Sequence, residues 1–129
     1  MPDADLETQR EVVNAFLAAA REGDFEELVA VLDPDVVLRI DRGEIPAAAR
    51  EPAVLRGATE VARLALEGGA RFAPFCRPAI VNGAAGLIVA PGPRPFAVAG
   101  FTVVNGRIAE IDVVADREKV AAAVGTAAG

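Results

Sequence analysis

Two Asn-Gly dipeptides constrain this chain most. Asn82-Gly83 separates FCRPAIV from AGLIVAP, and Asn105-Gly106 separates FAVAGFTVV from RIAEIDVVAD. Both central positions of a type I′ turn need a positive φ, which Asn followed by Gly supplies at least cost. Each dipeptide between apolar runs therefore predicts a tight hairpin. With PGPRP (91–95) as the turn between them, residues 75–116 read as four consecutive antiparallel strands. Pro78 lies in the first of these. It cannot donate to a ladder, so it predicts a sheet edge or a bulge.

The first half of the chain reads differently. Leu6, Val13, Leu17 and Ala20 recur at helical spacing with Val12 and Phe16 beside them, which predicts a helix over 6–21. Asp5 stands where an N-cap belongs and Gly23 where a left-handed C-cap belongs. Asp24 and Glu27 make a capping-box pattern for a second, short helix with Phe25, Leu28, Val31 and Leu32 on its apolar face, stopped at Asp33-Pro34. VVLRID (36–41) predicts a strand, DRGEIPAAAREP (41–52) a loop, and VLRG a brief strand. ATEVARLALE (58–67) predicts a third helix ended by Gly68-Gly69. DREKVAAAV starts a last short helix capped by Asp116, and GTAAG is a tail. Helices first and a meandering sheet afterwards indicate a single α+β domain over 1–129, with an ordered core of about 5–122 and a tail at 123–129. Three helices cover one face of such a sheet. A mostly antiparallel sheet, strongly curved and closed on one side by N-terminal helices, makes a cone with a hollow.

Composition narrows the function. The chain has no His, Tyr or Trp, which excludes Ser-His-Asp and Cys-His nucleophile systems, His-ligated metals and a Tyr oxyanion donor. No cofactor or metal site is expected. Acid-base chemistry would fall to carboxylates, Arg, Lys119 or Cys76. The net charge of −6, with 12 Arg and one Lys scattered along the chain, argues against direct nucleic-acid binding, since phosphate contacts need clustered cations. Cys76 is the single cysteine, which forbids an intrachain disulfide and fits a reducing, cytoplasmic setting. No apolar run approaches the ~18 residues of a membrane span, and MPDADLETQR is unlike a signal peptide.

The order of elements and several strings resemble a known family. The chain looks like the nuclear transport factor 2-like cone in its SnoaL-like branch. REVVNAFLAAAREGDFEELVAVLDPDVVLRID, RPAIVNGAAGLIVA and FTVVNGRIAEIDVVADREKV resemble parts of the C-terminal extension of a group of extracytoplasmic-function RNA polymerase sigma factors. The likeness runs from about residue 6 to 120. That family carries an Asp-Gly-Gly-Gly-Lys motif after the first strand and an Asn-Pro-Asp-Lys-Leu motif near the end. Here DRGEI holds the first place, so Asp41 and Gly43 match while Arg42, Glu44 and Ile45 do not. DREKV holds the second: Lys119 matches, Glu118 and Val120 are similar, and Asp116 and Arg117 replace Asn-Pro. The resemblance implies a regulatory domain whose partners are the sigma regions of a parent sigma factor and RNA polymerase, with a pocket suited to a small apolar ligand. The chain would be a separated domain or a stand-alone relative. The alternatives are a ligand-binding cone, with homodimerisation through the sheet face, and an enzyme of the polyketide-cyclase or ketosteroid-isomerase kind. The enzyme reading makes Asp41, Glu110 or Asp112 the base.

Glu110 and Asp112 are the weak catalytic candidates. A two-residue hairpin at Asn105-Gly106 pairs Val103 with Ile108, Phe101 with Glu110 and Ala99 with Asp112, which places both acids on the Phe101 face. If that face lines the hollow, desolvation and mutual repulsion raise at least one pKa. The reading favoured over this is a solvent-facing strand. Arg39 and Asp41 share a face of their strand and are expected at the mouth of the cone or as an exposed edge pair. Arg39, Asp41, Gly43, Phe101, Asp116 and Lys119 are the expected regulatory or pocket contacts. Cys76 and the six Phe are expected in the core, the Phe as pocket lining at best.

Overall fold

The computed structural model describes residues 5–41, 53–90, 92 and 96–115. The chain opens with helix α1 (Leu6–Glu22), whose first turn is held by Asp5: its carboxylate accepts from the Thr8 backbone N–H at 2.8 Å. That bond holds the Asp5 carboxyl below the usual carboxylate range. Gly23, at φ 71°, closes the helix by donating back to the Ala19 and Ala20 carbonyls. Asp24 caps α2 (Phe25–Val31) through the Glu27 N–H at 3.1 Å. Strand β1 (Leu32–Asp41) follows at once, and Asp33-Pro34 lies inside it as an irregularity in its pairing. There the Asp33 carboxylate accepts from the Asp35 N–H at 2.8 Å, a local turn that competes with the ladder. β2 (Ala53–Arg56) and α3 (Ala58–Phe72) come next, then a short 3-10 turn (Ala73–Phe75). The meander closes the described chain: β3 (Cys76–Val81), β4 (Ala84–Val89), β5 (Ala97–Val104) and β6 (Arg107–Val114).

Both Asn-Gly turns form as expected, with Asn82 and Asn105 at φ 50° and 52° and their glycines at 82° and 74°. The sheet order is β2-β1-β6-β5-β4-β3. Pro78 lies on β3, an edge strand, where a missing donor is harmless. Every described pairing is antiparallel except β1 with β6, which is parallel and joins the two halves of the chain. The expected last helix from Asp116 and most of the loop after Asp41 lie outside the described residues.

Two expectations are corrected. The first is the end of α3. The helix runs through Gly68-Gly69 to Phe72. A Cβ built on Gly69 would fall 2.4 Å from the Ala20 carbonyl oxygen. Glycine at 69 is there because α3 crosses α1 in near backbone contact, and that packing outweighs a helix-propensity cost of about 0.5–1 kcal/mol. The second is the register of the last hairpin. Val103 faces Ile108 as expected, but Thr102 then faces Glu110, so Ala109 is an extra residue on β6. Beyond this bulge Phe101 faces Ile111, Gly100 faces Asp112 and Ala99 faces Val113. A one-residue slip moves every later side chain to the other face. The bulge turns Ile111 toward the helices and leaves Glu110 and Asp112 outside. The regular register would press two carboxylates into an apolar layer at a cost of several kcal/mol each.

The main core lies between the helices and the inward face of the sheet. Val13, Leu17, Leu28 and Val61 from the helices meet Leu38, Leu87, Phe101, Ile108 and Ile111 from the strands, all buried. Gln9 is the exception to the apolar stripe. It is buried, and its side-chain oxygen accepts from the Ala85 N–H at 3.0 Å, tying α1 to the start of β4. Val81, Ile88 and Val98 form a second, smaller cluster.

The α1–α3 crossing yields a direct test. Gly69→Ala forces the helices apart and is expected to cost about 1–3 kcal/mol, as overpacked core positions do. The check is the midpoint of urea unfolding, and an unchanged midpoint would contradict the close approach.

Candidate functional site

The helices and the inward sheet face do not close completely. Between them lies a cavity of about 190 Å³. Phe16, Leu17 and Ala20 reach it from α1, Leu64, Ala65, Gly68 and Phe72 from α3, and Leu38, Leu87, Ala99, Phe101 and Ile111 from the sheet. The wall is made of Ala, Val, Leu, Ile, Phe and Gly, with the Cys76 thiol as its one polar side-chain group. Small residues leave the hollow: Ala65 and Gly68 face it from α3 and Ala99 from β5, where larger side chains would fill it. Phe101 packs edge-on against Phe16 with ring centroids 5.4 Å apart, fixing two aromatic walls. Phe72 stacks on Phe96 at 6.4 Å, and Phe96 is more than half exposed, so this wall reaches the surface.

On the opposite face of the sheet sits a charged cluster. The Arg39 guanidinium binds Glu110 at 2.8 Å and Asp112 at 3.1 Å through the same nitrogen. These two hydrogen bonds, the Glu110 bond first, raise the Arg39 pKa. Arg39 is the direct register partner of Asp112 across the parallel β1–β6 seam, so the contact follows from strand pairing. All three side chains are solvated, with Glu110 36% and Asp112 50% exposed, and such pairs contribute little to stability.

The expected site residues therefore separate. Phe101 lines the cavity. Glu110 and Asp112 do not share its face; the Ala109 bulge sends them outside to Arg39. Asp41 ends β1, two residues from Arg39, and its carbonyl accepts from the Ala115 N–H at 2.8 Å. Gly43, Asp116 and Lys119 lie outside the described residues. Sequence reasoning missed Gly68 and the cavity role of Cys76. The Gly-Gly pair predicts a helix stop, whereas α3 runs through it. Among the described residues no group of three or more His, Cys, Asp and Glu side chains could hold a metal ion. Nor is any described helix long and apolar enough to cross a membrane.

Comparison with solved structures places this geometry. The structure is similar to the extracytoplasmic function sigma factor SigJ of Mycobacterium tuberculosis, with 28% identity and a TM-score of 0.67 over 87% of this chain. The chain spans 44% of that protein's length. An NTF2-like protein of Burkholderia xenovorans LB400 aligns over 92% of this chain and 97% of its own, at 24% identity and a TM-score of 0.57. An LEH-like epoxide hydrolase of M. tuberculosis aligns over 97% and 95%, at 21% identity and a TM-score of 0.55. The chain has the nuclear transport factor 2-like α+β cone fold. No protein-family model and no curated protein sequence matches it. The low-identity neighbours carry the fold alone, and a fold does not by itself decide between catalysis and binding.

The cavity wall makes one chemical prediction. Burial raises the Cys76 pKa, against a smaller lowering by Arg21. Since the thiolate is the nucleophile, Cys76 should react with iodoacetamide at neutral pH more slowly than free cysteine, and the rate should keep rising at pH values where free cysteine has levelled. Mass spectrometry of the timed reaction reads this. A rate equal to that of free cysteine at neutral pH would show that the thiol faces water.

Proposed function

We propose that this chain is a regulatory, non-catalytic SnoaL-like domain that modulates an extracytoplasmic-function sigma factor. The observation that carries the reading is the likeness to SigJ: 28% identity over 87% of the chain, against 44% of that longer protein. The partners on this reading are the sigma regions of the parent factor and RNA polymerase. The outward cluster of Arg39, Glu110 and Asp112 supports it as an exposed polar surface, and Asp41, Gly43, Asp116 and Lys119 are proposed as further contacts. The bulge supports the non-catalytic part, since it takes Glu110 and Asp112 away from the cavity where a substrate would sit.

The mechanism is a docking equilibrium. The cone packs on the sigma regions in one state and releases them, or packs differently, in another. A ligand in the cavity shifts that balance only by binding the two states unequally. Transcription reconstituted with the parent sigma factor, with and without this domain, tests the proposal. Promoter output should change by about fivefold or more, the usual lower range of such couplings. Identical output would overturn it.

A further inference from the structure

Gly68 and Gly69 are neighbours in α3 and both line the cavity, but for different reasons. Contact with α1 demands glycine at 69. At 68 nothing does. A Cβ built there meets nothing nearer than Phe72 Cδ2, at 3.9 Å, which is ordinary van der Waals contact. Gly68 is not among the residues with positive φ. Glycine inside a helix is less stable than any residue but proline, so position 68 gives up stability without a steric reason. What its missing side chain does is leave the cavity wall open.

We propose that the cavity receives a neutral, largely hydrocarbon molecule about the size of a substituted benzene, and that Gly68 sets the size limit. Apart from the Cys76 thiol the wall has no polar side chain. A charged or strongly polar group entering it would lose its hydration and gain no partner. The rings of Phe16, Phe72 and Phe101 give flat apolar surfaces on which an aromatic ring packs. The volume of about 190 Å³ exceeds the ~150 Å³ of an apolar cavity that admits benzene. This inference rests on the reading of the cavity as ligand-accepting and is independent of the sigma partner.

The test uses the full 129-residue chain with toluene as probe and benzoate as its charged counterpart. Toluene should raise the melting temperature saturably and give a calorimetric isotherm, and benzoate should do neither. Gly68→Leu fills the opening and should weaken toluene binding by about tenfold or more, the scale set by methylene-sized changes in apolar pockets. The free variant should melt no lower than the parent. If Gly68→Leu does not fold, Gly68→Ala, with a smaller group in the same place, should give a fewfold loss in the same titrations. Absence of toluene binding, equal binding of benzoate, or unchanged toluene affinity in the folded variant would each overturn the proposal. Toluene failing while the domain still alters promoter output removes this inference alone. Toluene binding without any transcriptional effect removes the sigma-factor reading alone.

Discussion

The extra residue at Ala109 decides what each face of the sheet is made of. Before it, Ile108 points to the helix layer; after it, Ile111 does. The inward side of β6 is thereby apolar on both sides of the bulge. The acids of the same strand are delivered to water, where a carboxylate keeps its hydration. The place of Ile111 in the cavity wall and of Glu110 and Asp112 on the exterior follows from this local choice. Desolvation supplies the reason. A ladder without the bulge keeps one more regular pair but turns two acids into the apolar layer under the helices, and no interstrand hydrogen bond offsets that.

Once outside, the two acids meet the cation that strand pairing offers them. β1 and β6 form the one parallel seam among the described strands, and Arg39 reaches across it to both carboxylates. Exposed ion pairs add little stability, so the cluster does not hold the seam together. Its effect is on charge. Two like charges on one strand face repel, and a guanidinium between them removes most of that repulsion while leaving a net negative, hydrogen-bonding surface. Such a surface favours selectivity and encounter over raw affinity, which suits a docking equilibrium better than a permanent interface.

Several features were legible in the sequence because their causes are local. Asn82-Gly83 and Asn105-Gly106 fix turns through their own φ preferences. Asp5, Gly23 and Asp24 fix helix ends through groups a few residues away, and Pro78 marks an edge by what it lacks. The misread features have causes far along the chain. Gly69 is explained by Ala20, which no helix pattern brings near it. The bulge at Ala109 is explained by the apolar layer that Glu110 and Asp112 would otherwise enter, a consequence of three helices packing on one face. The strand that carries Arg39 is legible, but its partners are not, with Asp112 73 residues away in sequence. Gln9 broke an apolar stripe for the sake of an Ala85 donor that only tertiary structure supplies.

β6 is also where the two faces of the domain come closest in chemistry. Ile111 lines the cavity, while its neighbours Glu110 and Asp112 carry the exterior charge. A molecule in the cavity has no side chain with which to exchange protons apart from a thiol whose pKa burial has raised. It acts through volume and contact, and two of the strands it touches, β1 and β6, carry Arg39, Glu110 and Asp112 on their other side. Coupling between ligand and partner requires an element with two arrangements that both sites bias. A bulged strand is the natural place for one, because the unpaired residue leaves the ladder locally less constrained than regular pairing does. The irregularity that keeps the acids out of the core thus lies on the same strand as Ile111 of the cavity wall and as the two outward acids.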